Sequence, residues 1–440
     1  MIFAAGPGDR KYRGNTMDQR LGPEATALYW QRFSVPYEFP VAFTRGLFRP
    51  ENLLLVDALA RREPDKRHRC LFYIDDGLAG GEHDPAAAIE AYADAHDDRI
   101  ELVDAPTLIP GGERIKRELT WIEGIQDTIH RLGIDRHSYV VAVGGGAVLD
   151  AVGLAAATAH RGVRHVRAPT TVLAQADSGV GVKNAVNLNN VKNFVGTFAP
   201  PWAVLNDLDF LRGLPRRDRI SGIAEAVKVG LIRDRAFFEW LETNAAALAG
   251  FEPTAEEHMI RRCAELHMHQ IAHGGDPFEL GSARPLDYGH WSAHKLEALT
   301  RNHVRHGEAV AIGLALDARY SVLAGLLPEG DEERVAGMLE RLGLRLWHPA
   351  LVRPDAAGAL SLLVGLREFQ EHLGGELTVT LLRELGVGVE VHAIDADLVR
   401  QSLEWLRARD EARGDGTGGD EAGDERDIGP WVATGRRITG

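Results

Sequence analysis

The stretch from Arg161 to Asn193 reads RGVRHVRAPTTVLAQADSGVGVKNAVNLNNVKN and is the most informative part of this chain. It places polar and charged side chains among small residues: Asp177, Lys183, Asn187, Lys192 and Asn193. Glycine and alanine neighbours leave the backbone free to approach a ligand: Ala176, Gly179, Gly181 and Ala185. Ammonium and amide donors in such surroundings suit an anionic small molecule. A polar loop near an interface would look similar, so the stretch alone predicts only a phosphate-type site.

The segments around this stretch alternate between strand and helix patterns. Runs rich in β-branched or aromatic residues predict buried strands at 70–75, 138–143, 163–168 and 202–206. Helical spacing of apolar residues lies between them, notably at 113–132 and 147–160. This alternation predicts an α/β domain in which crossover helices connect the strands of a parallel sheet.

After about residue 215 the strand patterns largely stop and helical spacing dominates. Helices are predicted at 219–249, 254–273, 289–299, 306–326 and 330–343, and the late segment 376–394 predicts a hairpin or short strands. We therefore expect an α/β domain over 25–214 and a mainly helical domain over 215–408. Residues 1–24 and 409–440 lack periodicity, and we expect them to be disordered.

Composition narrows the class of protein. The chain has 440 residues, 45% of them hydrophobic, and a formal net charge of −14, which argues against a nucleic-acid partner. Part of that charge lies in the Gly-rich tail, where residues 410–427 hold eight acidic and two basic side chains. Two cysteines, no bilayer-spanning apolar run and no signal-peptide pattern predict a cytoplasmic protein without disulfides or a membrane partner.

A glycine turn marks a candidate cofactor site. Gly144, Gly145 and Gly146 follow the strand pattern at 138–143 and precede a helix that carries Asp150. Such a turn lets backbone amides and a helix N-terminus face a pyrophosphate, although a tight turn that needs positive φ would give the same pattern. The upstream segment 110–118 adds Glu113 and Lys116, and a capping role for Glu113 fits equally well.

Two further groups of residues indicate a metal site. Glu225 and Lys228 lie three apart on one face of a helix among small apolar residues, an arrangement that is either a site or a local ion pair. His290 and His294 lie four apart on another helix, and His306 begins the next. A glutamate with histidines from two helices suits Zn²⁺, whereas a chance histidine pair remains possible. The spacing differs from H-E-x-x-H and does not decide which histidines bind.

Taken in order, these motifs resemble the sugar phosphate cyclases, the family of 3-dehydroquinate synthase and the C7-cyclitol synthases. The resemblance covers about residues 70–390 and rests on GGGAVLD, RGV…APTTVLAQADSGVGVK, KNFVGTFAPP, SGIAEAVK and GH…H…HGEAVAIG. It implies a Rossmann-like NAD-binding domain followed by a helical metal-binding domain, usually in a homodimer. The implied reaction oxidises a sugar phosphate transiently, eliminates phosphate, reduces the ketone again and closes a carbocycle by an intramolecular aldol step.

The resemblance also implies roles for individual residues. The ligands of Zn²⁺ or Co²⁺ would be Glu225, His290 and His306, which leaves His294 as an acid/base or phosphate-contacting group. Substrate positions match Asp177, Lys183, Lys192, Asn193 and Lys228, and Arg161 matches an arginine that reaches the substrate of a neighbouring subunit. Cofactor positions match Gly144, Gly145, Gly146, Asp150, Thr170 and Thr171, with Asp76, Glu113 and Lys116 as further candidates.

Three departures from the synthase pattern bear on the substrate. Dehydroquinate synthases carry lysine, arginine and asparagine where this chain has His269, Ala283 and Asp287. Those groups surround a substrate carboxylate, which Asp287 would repel. The resemblance therefore favours sedoheptulose 7-phosphate as substrate and a valiolone-type cyclitol as product. The alternatives are 3-dehydroquinate synthase itself, a metal-dependent NAD alcohol dehydrogenase, and a catalytically silent scaffold.

Overall fold

A parallel sheet forms the centre of the first half of the chain. The computed structural model describes residues 31, 33–80, 84–189, 191–274, 278, 285–373 and 376–414. Seven strands of the described chain make this sheet: β1 (Val41–Thr44), β2 (His68–Asp75), β3 (Ile100–Leu102), β4 (Thr107–Ile109), β5 (Tyr139–Gly144), β6 (Arg164–Pro169) and, later in the chain, β9 (Ala203–Asp207). Their order is β1-β9-β6-β5-β2-β3, with β4 also paired to β2, and every pairing is parallel.

Helices cover both faces of this sheet: α1 (Leu54–Ala60), α2 (Pro85–Ala95), α3 (Thr120–Arg131) and α4 (Gly146–Thr158). The burial of β2 shows why its sequence is apolar throughout. Cys70, Phe72 and Ile74 belong to one core cluster, whereas Leu71 and Tyr73 belong to another. A strand that is buried on both faces has a continuous apolar run rather than an alternating one, which confirms the predicted parallel α/β arrangement.

The second half of the chain is mainly helical, as predicted. Its helices are α5 (Arg216–Arg233), α6 (Arg235–Thr243), α7 (Ala245–Ala249), α8 (Pro253–His273), α9 (His290–Leu299), α10 (His306–Leu323), α11 (Asp331–Arg341), α12 (Val364–Leu373) and α13 (Ala396–Arg413). The predicted late hairpin is present as β10 (Val379–Glu384) and β11 (Val387–Val391), paired antiparallel. No helix among the described residues has the length and apolar composition needed to cross a bilayer.

Two local features differ from the sequence predictions. No strand is predicted between 168 and 202, yet this part of the chain forms an antiparallel hairpin, β7 (Lys183–Leu188) and β8 (Val191–Phe198). The helix predicted to begin near residue 113 begins only at Thr120, after a short 3-10 turn at Gly112–Arg114. Lys116 and Ile115 are buried there, so contacts of this segment with its neighbours outweigh its helical spacing.

The predicted domain boundaries remain predictions. The described residues from Phe39 to Gly414 group as one compact unit, and the largest core cluster holds residues from both sides of position 214, such as Val172 and Leu316. The last helix continues to Arg413, past the boundary predicted at 408. The disorder expected from residue 409 is wrong for residues 409–413, because the buried face of this helix holds them in its last turns. The other residues for which we expect disorder, 1–24 and 415–440, lie outside the described residues.

Helices α9 and α10 cross at very close range. A Cβ atom at Gly313 would lie 2.9 Å from the carbonyl carbon of Gly289 and 3.0 Å from Ser292 Oγ. Gly289 itself has φ of +77° and directly precedes His290, the first residue of α9. The absence of a side chain at Gly313 therefore sets the position of the histidine helix relative to α10.

A pair of glycine substitutions tests this close contact. We expect Gly313→Ala to lower the free energy of unfolding by about 1–3 kcal/mol, because the new methyl group forces α9 away from α10. In the matched control Gly337→Ala on α11, the new Cβ would meet only the end of Arg341, at 3.6 Å. That variant should gain up to about 1 kcal/mol from improved helix propensity. Equal effects in urea denaturation would contradict the close-contact explanation.

Candidate functional site

Three glycines, Gly144–Gly146, form a turn at the carboxyl ends of the central strands, which we call the glycine cradle. β5 ends at Gly144, and Gly145 caps α4, which follows at once. A Cβ at Gly145 would lie 3.2 Å from Thr171 Cγ2, and one at Gly146 would lie 2.6 Å from Ser178 Oγ. The Ser178 hydroxyl is buried without a hydrogen-bond partner among the described residues. Backbone amides at a helix N-terminus next to an unsatisfied hydroxyl can accommodate the phosphates of a dinucleotide.

The remaining predicted cofactor residues lie along the same sheet edge. Asp76 follows β2 directly, accepts the backbone N–H of Gly111 at 2.9 Å and pairs with Arg114 at 2.7 Å. Thr170 follows β6, and its backbone N–H donates to the carbonyl of Gly144 at 3.0 Å. The Thr171 hydroxyl accepts the backbone N–H of Ala174 at 3.1 Å. The structure therefore brings the predicted cofactor positions together at one edge.

Lys116 joins this edge to the hairpin β7–β8. Its buried Nζ donates to Asp150 Oδ2 at 2.8 Å and to Asn193 Oδ1 at 2.5 Å. Asn193 has φ of +54° and donates its backbone N–H to the side chain of Asn187 at 2.8 Å. Asn187 in turn donates to Glu113 at 3.1 Å. Residues assigned separately to cofactor and substrate thus form one hydrogen-bonded network.

A buried carboxylate and two imidazoles meet in the helical region. Glu225 on α5 is fully buried, and its Oε1 lies 3.6 Å from His290 Nε2 and 3.2 Å from His306 Nε2. The three ligand atoms lie within 4.8 Å of one another. Glu225 Oε2 pairs with the ammonium of Lys228, whereas Oε1 accepts no well-formed hydrogen bond from a described residue. An oxygen of a buried carboxylate that faces two imidazole nitrogens suits a cation, so this donor set fits a divalent metal such as Zn²⁺.

A second possible metal group contains His294, Glu297 and His306. The outer contacts favour the first group. His290 Nδ1 lies 3.0 Å from the carbonyl of Tyr288, and His306 Nδ1 lies 3.2 Å from Glu297 Oε2. These contacts place one proton of each ring on Nδ1, so that each Nε2 can bind a cation beside Glu225. Both oxygens of Glu297 already have partners, because Oε2 contacts His306 and Oε1 accepts a hydrogen bond from Lys192 Nζ at 2.6 Å. Glu297 is therefore less suited to bind a metal than Glu225.

The charges around this centre shift several pKa values. Burial alone would raise the pKa of Glu225, but the ammonium of Lys228 and the two histidines hold it well below its usual value. Burial lowers the pKa of His306, yet Glu297 and Glu225 outweigh burial and raise it to about 9. His294 has a pKa well below its usual value because it is buried beside His290, so its imidazole is neutral. The pocket therefore attracts positive charge at His306 and not at His294.

Lys228 is surrounded by acids. It is buried and forms an ion pair with Glu225 on the same helix, and the charges of Asp177 and Asp287 also favour its protonated form. Burial raises the pKa of Asp177, whereas Lys228 and His267 outweigh burial and lower it to about 2. His267 Nδ1 lies 2.7 Å from Asp177 Oδ1. Lys228 is therefore an ammonium held among three carboxylates.

The other predicted substrate residues are exposed or half-buried. Lys183 begins β7 and is exposed, and Lys192 on β8 is half-buried between Glu297 and Glu113. Arg161 is exposed, with φ of +62° at the end of a 3-10 turn. His269 lies on the exposed side of α8, where its ring stacks on that of His273. The roles assigned to these residues stay predictions, and Ala283 lies outside the described residues.

Sequence reasoning missed three residues of this region: Arg167, His267 and Glu297. The Arg167 guanidinium is fully buried and donates to the carbonyls of Gly179, Gly181 and Lys183 and to the side chain of Asn184, at 2.8–3.1 Å. Burial lowers its pKa to about 10, which leaves it charged at neutral pH. The available signal in the sequence is an arginine in the middle of a strand that is predicted to be buried. It fixes the backbone between Asp177 and Lys183.

The described structure is thus that of an α/β protein with two candidate sites. A glycine turn at the carboxyl ends of the parallel strands suits a dinucleotide, and the group of Glu225, His290 and His306 suits a metal ion. Comparison with known families agrees with this arrangement. The family description "3-dehydroquinate synthase N-terminal" matches residues 106–221, and "3-dehydroquinate synthase C-terminal" matches residues 222–362. The chain belongs to the 3-dehydroquinate synthase family, within the sugar phosphate cyclases.

The individual relatives include 3-dehydroquinate synthases among the sequences and cyclitol synthases among the solved structures. A 3-dehydroquinate synthase of Xylella fastidiosa is 38% identical over 301 residues, which cover 67% of this chain and 79% of that protein. The structure of 2-epi-5-epi-valiolone synthase from Streptomyces hygroscopicus, with NAD⁺ and Zn²⁺ bound, superposes with a TM-score of 0.76 at 29% identity and covers 87% of this chain and all of that one. A 2-deoxy-scyllo-inosose synthase complexed with carbaglucose-6-phosphate, NAD⁺ and Co²⁺ gives 0.68 at 25% identity, with coverages of 83% and 96%.

Metal content tests the assignment of the ligands. We expect Glu225→Ala and His290→Ala to lose bound divalent metal on dialysis, because each removes one ligand of the first group. His294→Ala should retain the metal, since His294 belongs only to the second group. Elemental analysis by mass spectrometry gives the metal per chain. Loss of metal from His294→Ala with retention in His290→Ala would transfer the site to the second group.

Unfolding by urea tests the role of Arg167. Arg167→Met leaves several buried carbonyls without a donor, at about 1–3 kcal/mol for each group that water cannot reach. We therefore expect a loss of about 3 kcal/mol or more in the free energy of unfolding. The control Arg45→Lys changes a half-exposed ion pair with Glu257 and should cost less than about 1 kcal/mol. Similar losses in the two variants would show that Arg167 has no special structural role.

Proposed function

We propose that this protein is a sugar phosphate cyclase that converts sedoheptulose 7-phosphate into a valiolone-type cyclitol with release of phosphate. The proposal rests above all on the balance of charge around Lys228. Asp177, Glu225 and Asp287 act on this single ammonium. A divalent cation would balance the two remaining negative charges. No surplus positive charge then remains in this group for a substrate carboxylate, whereas the hydroxyl groups of a neutral sugar can bind to all of its members.

NAD and a divalent metal, Zn²⁺ or Co²⁺, are the proposed cofactors. Their support is the glycine cradle, the Glu225 oxygen that faces the two imidazoles, and the cofactors bound in the two structural relatives. When bound, NAD⁺ accepts and later returns a hydride, and the metal lowers the pKa of the alcohol that is oxidised. Glu225, His290 and His306 would hold the metal, and the backbone at Gly144–Gly146 would face the pyrophosphate.

The chain's own side chains would then orient the sugar and its phosphate. Lys183, Lys192 and Asn193 on the hairpin supply donors that suit phosphate oxygens. Asp177 is ionised, and its contact with His267 fixes one oxygen, so the other can accept a sugar hydroxyl. His294, neutral and next to the metal centre, can accept or donate a proton. Together these groups would keep the reacting carbon next to the cradle while phosphate leaves.

A second candidate is 3-dehydroquinate synthase itself. The names of the sequence relatives favour it, at 38% identity to the enzyme of Xylella fastidiosa. In that case the acidic substrate must find a cation other than Lys228, because Asp287 lies among the groups that act on this lysine. The structural relatives that carry NAD⁺ and metal are cyclitol synthases, which favours the first candidate.

We also propose a homodimer. The exposed position of Arg161, away from its own chain's buried centre, supports an arginine that reaches the phosphate of a neighbouring subunit. Sedimentation of the full-length chain, with mixed dimers of Arg161→Ala and Lys228→Ala protomers, tests both parts. Each variant alone should be inactive, whereas mixing should restore activity in the site that combines two intact contributions. A monomer, or mixed dimers without activity, would refute the shared site.

Phosphate release from two sugar phosphates decides between the enzyme candidates. We expect release from sedoheptulose 7-phosphate and little from the acidic 3-deoxy-heptulosonate 7-phosphate, with product identity read by NMR. Release from the acidic sugar alone would favour 3-dehydroquinate synthase. Net accumulation of NADH at 340 nm would indicate an alcohol dehydrogenase, because a cyclase returns its hydride within each turnover. Absence of turnover on both sugars with metal and NAD⁺ present would favour a silent scaffold.

The substitution Asp287→Asn tests the charge argument directly. It removes one of the acids acting on Lys228, so we expect kcat/KM for the acidic sugar to rise about 10-fold or more relative to that for sedoheptulose 7-phosphate. The variant Glu257→Gln is the control, since it removes a carboxylate on the outer face of α8 that pairs with Arg45 and Arg261. An unchanged ratio in Asp287→Asn would show that this acid does not select the substrate.

A further inference from the structure

We propose that Glu297 is a positioning residue that couples metal binding to phosphate binding. The inference deepens the proposed function, since it relies on the metal role of His306 and the phosphate role of Lys192. Glu297 lies on α9, one turn beyond His294, and its side chain is 4% exposed. Its two oxygens have different partners: Oε2 lies 3.2 Å from His306 Nδ1, and Oε1 lies 2.6 Å from Lys192 Nζ.

Each half of this arrangement orders one part of the site. The contact with His306 fixes the tautomer and the direction of the ring, so that Nε2 is presented to the metal next to Glu225. The contact with Lys192 holds an otherwise long, flexible side chain on β8. The nearest alternative acid for this lysine is Glu113, whose Oε1 lies 4.0 Å from Nζ. Glu297 is therefore the stronger determinant of where the ammonium of Lys192 lies.

The shared carboxylate makes the two events dependent on each other. A cation on His306 Nε2 polarises the ring, which strengthens the N–H donated from Nδ1 to Glu297. It also holds the ring in place, so the carboxylate and the lysine beyond it become more ordered. An oxyanion bound to Lys192 must in turn favour the cation, because coupling between two binding equilibria is reciprocal.

A second series of contacts connects Lys192 to the cofactor edge of the sheet. Lys192 and Asn193 are neighbours on β8, and Asn193 is fixed by Lys116, which also binds Asp150 on the helix behind the glycine cradle. The start of β8 is therefore connected to the proposed metal ligand His306 through Lys192 and Glu297, and to the cofactor edge through Asn193 and Lys116. Glu297 is the side chain that makes the first of these two connections.

Binding measurements on the full-length protein test this role without turnover. Affinity for Co²⁺ is followed by its visible absorption, with and without inorganic phosphate. In the wild-type protein we expect phosphate to raise Co²⁺ affinity about 5-fold or more. Glu297→Gln should weaken Co²⁺ binding about 10- to 100-fold and remove the effect of phosphate. Glu297→Asp, too short to reach both partners, should also remove the effect, and it keeps the charge in case the amide variant fails to fold.

Two control variants separate the contributions. Glu368→Gln removes an exposed carboxylate that pairs with Lys295 on the same helix α9, and it should leave Co²⁺ affinity unchanged. Lys192→Gln should keep most of the Co²⁺ affinity but lose its dependence on phosphate. Wild-type Co²⁺ affinity and phosphate dependence in Glu297→Gln would overturn the proposal. Because no sugar is turned over, a failure of the proposed substrate in the phosphate-release assay leaves these results interpretable.

Discussion

The buried carboxylate of Glu225 is the constraint on which the rest of this site depends. A fully buried anion is unstable unless positive charge lies close to it, and α5 supplies only Lys228. Two imidazoles from α9 and α10 complete its surroundings, each with its Nδ1 engaged elsewhere. The close crossing at Gly313 holds those two helices together. A divalent cation bound here would stabilise the negative charge that the packing of these helices buries.

Much of the fold could be predicted because its signals are local. The continuous apolar runs of β2 and β5, and the glycine turn after β5, follow directly from burial on both faces and from the entry into α4. The hairpin β7–β8 could not be predicted in this way. Its sequence mixes polar and apolar residues without alternation, and apolar side chains such as Phe194 and Phe198 are exposed, so no strand pattern marks it. Contacts with Lys116 and Arg167 hold the hairpin instead.

The site could be predicted as a set of residues, but not as a set of contacts. Spacing indicated Glu225 and the three histidines, and the family resemblance assigned the ligands among them. Other contacts of the site join residues that are distant in sequence: Glu297 contacts Lys192 across 105 positions, and His267 contacts Asp177 across 90. No period of helix or strand links such positions. Residues that position a functional side chain, such as Glu297, can therefore be identified only from the folded structure.

The location of Asp287 has a consequence for substitutions at this position. It lies in the short 3-10 turn Pro285–Asp287, next to the metal helix α9 but outside it. The ligands, the glycine cradle and the hairpin all lie on elements fixed by buried contacts. A turn can change its sequence at little cost in stability. A substitution in this turn would therefore leave the buried elements that carry Glu225, the glycine cradle and the hairpin unchanged.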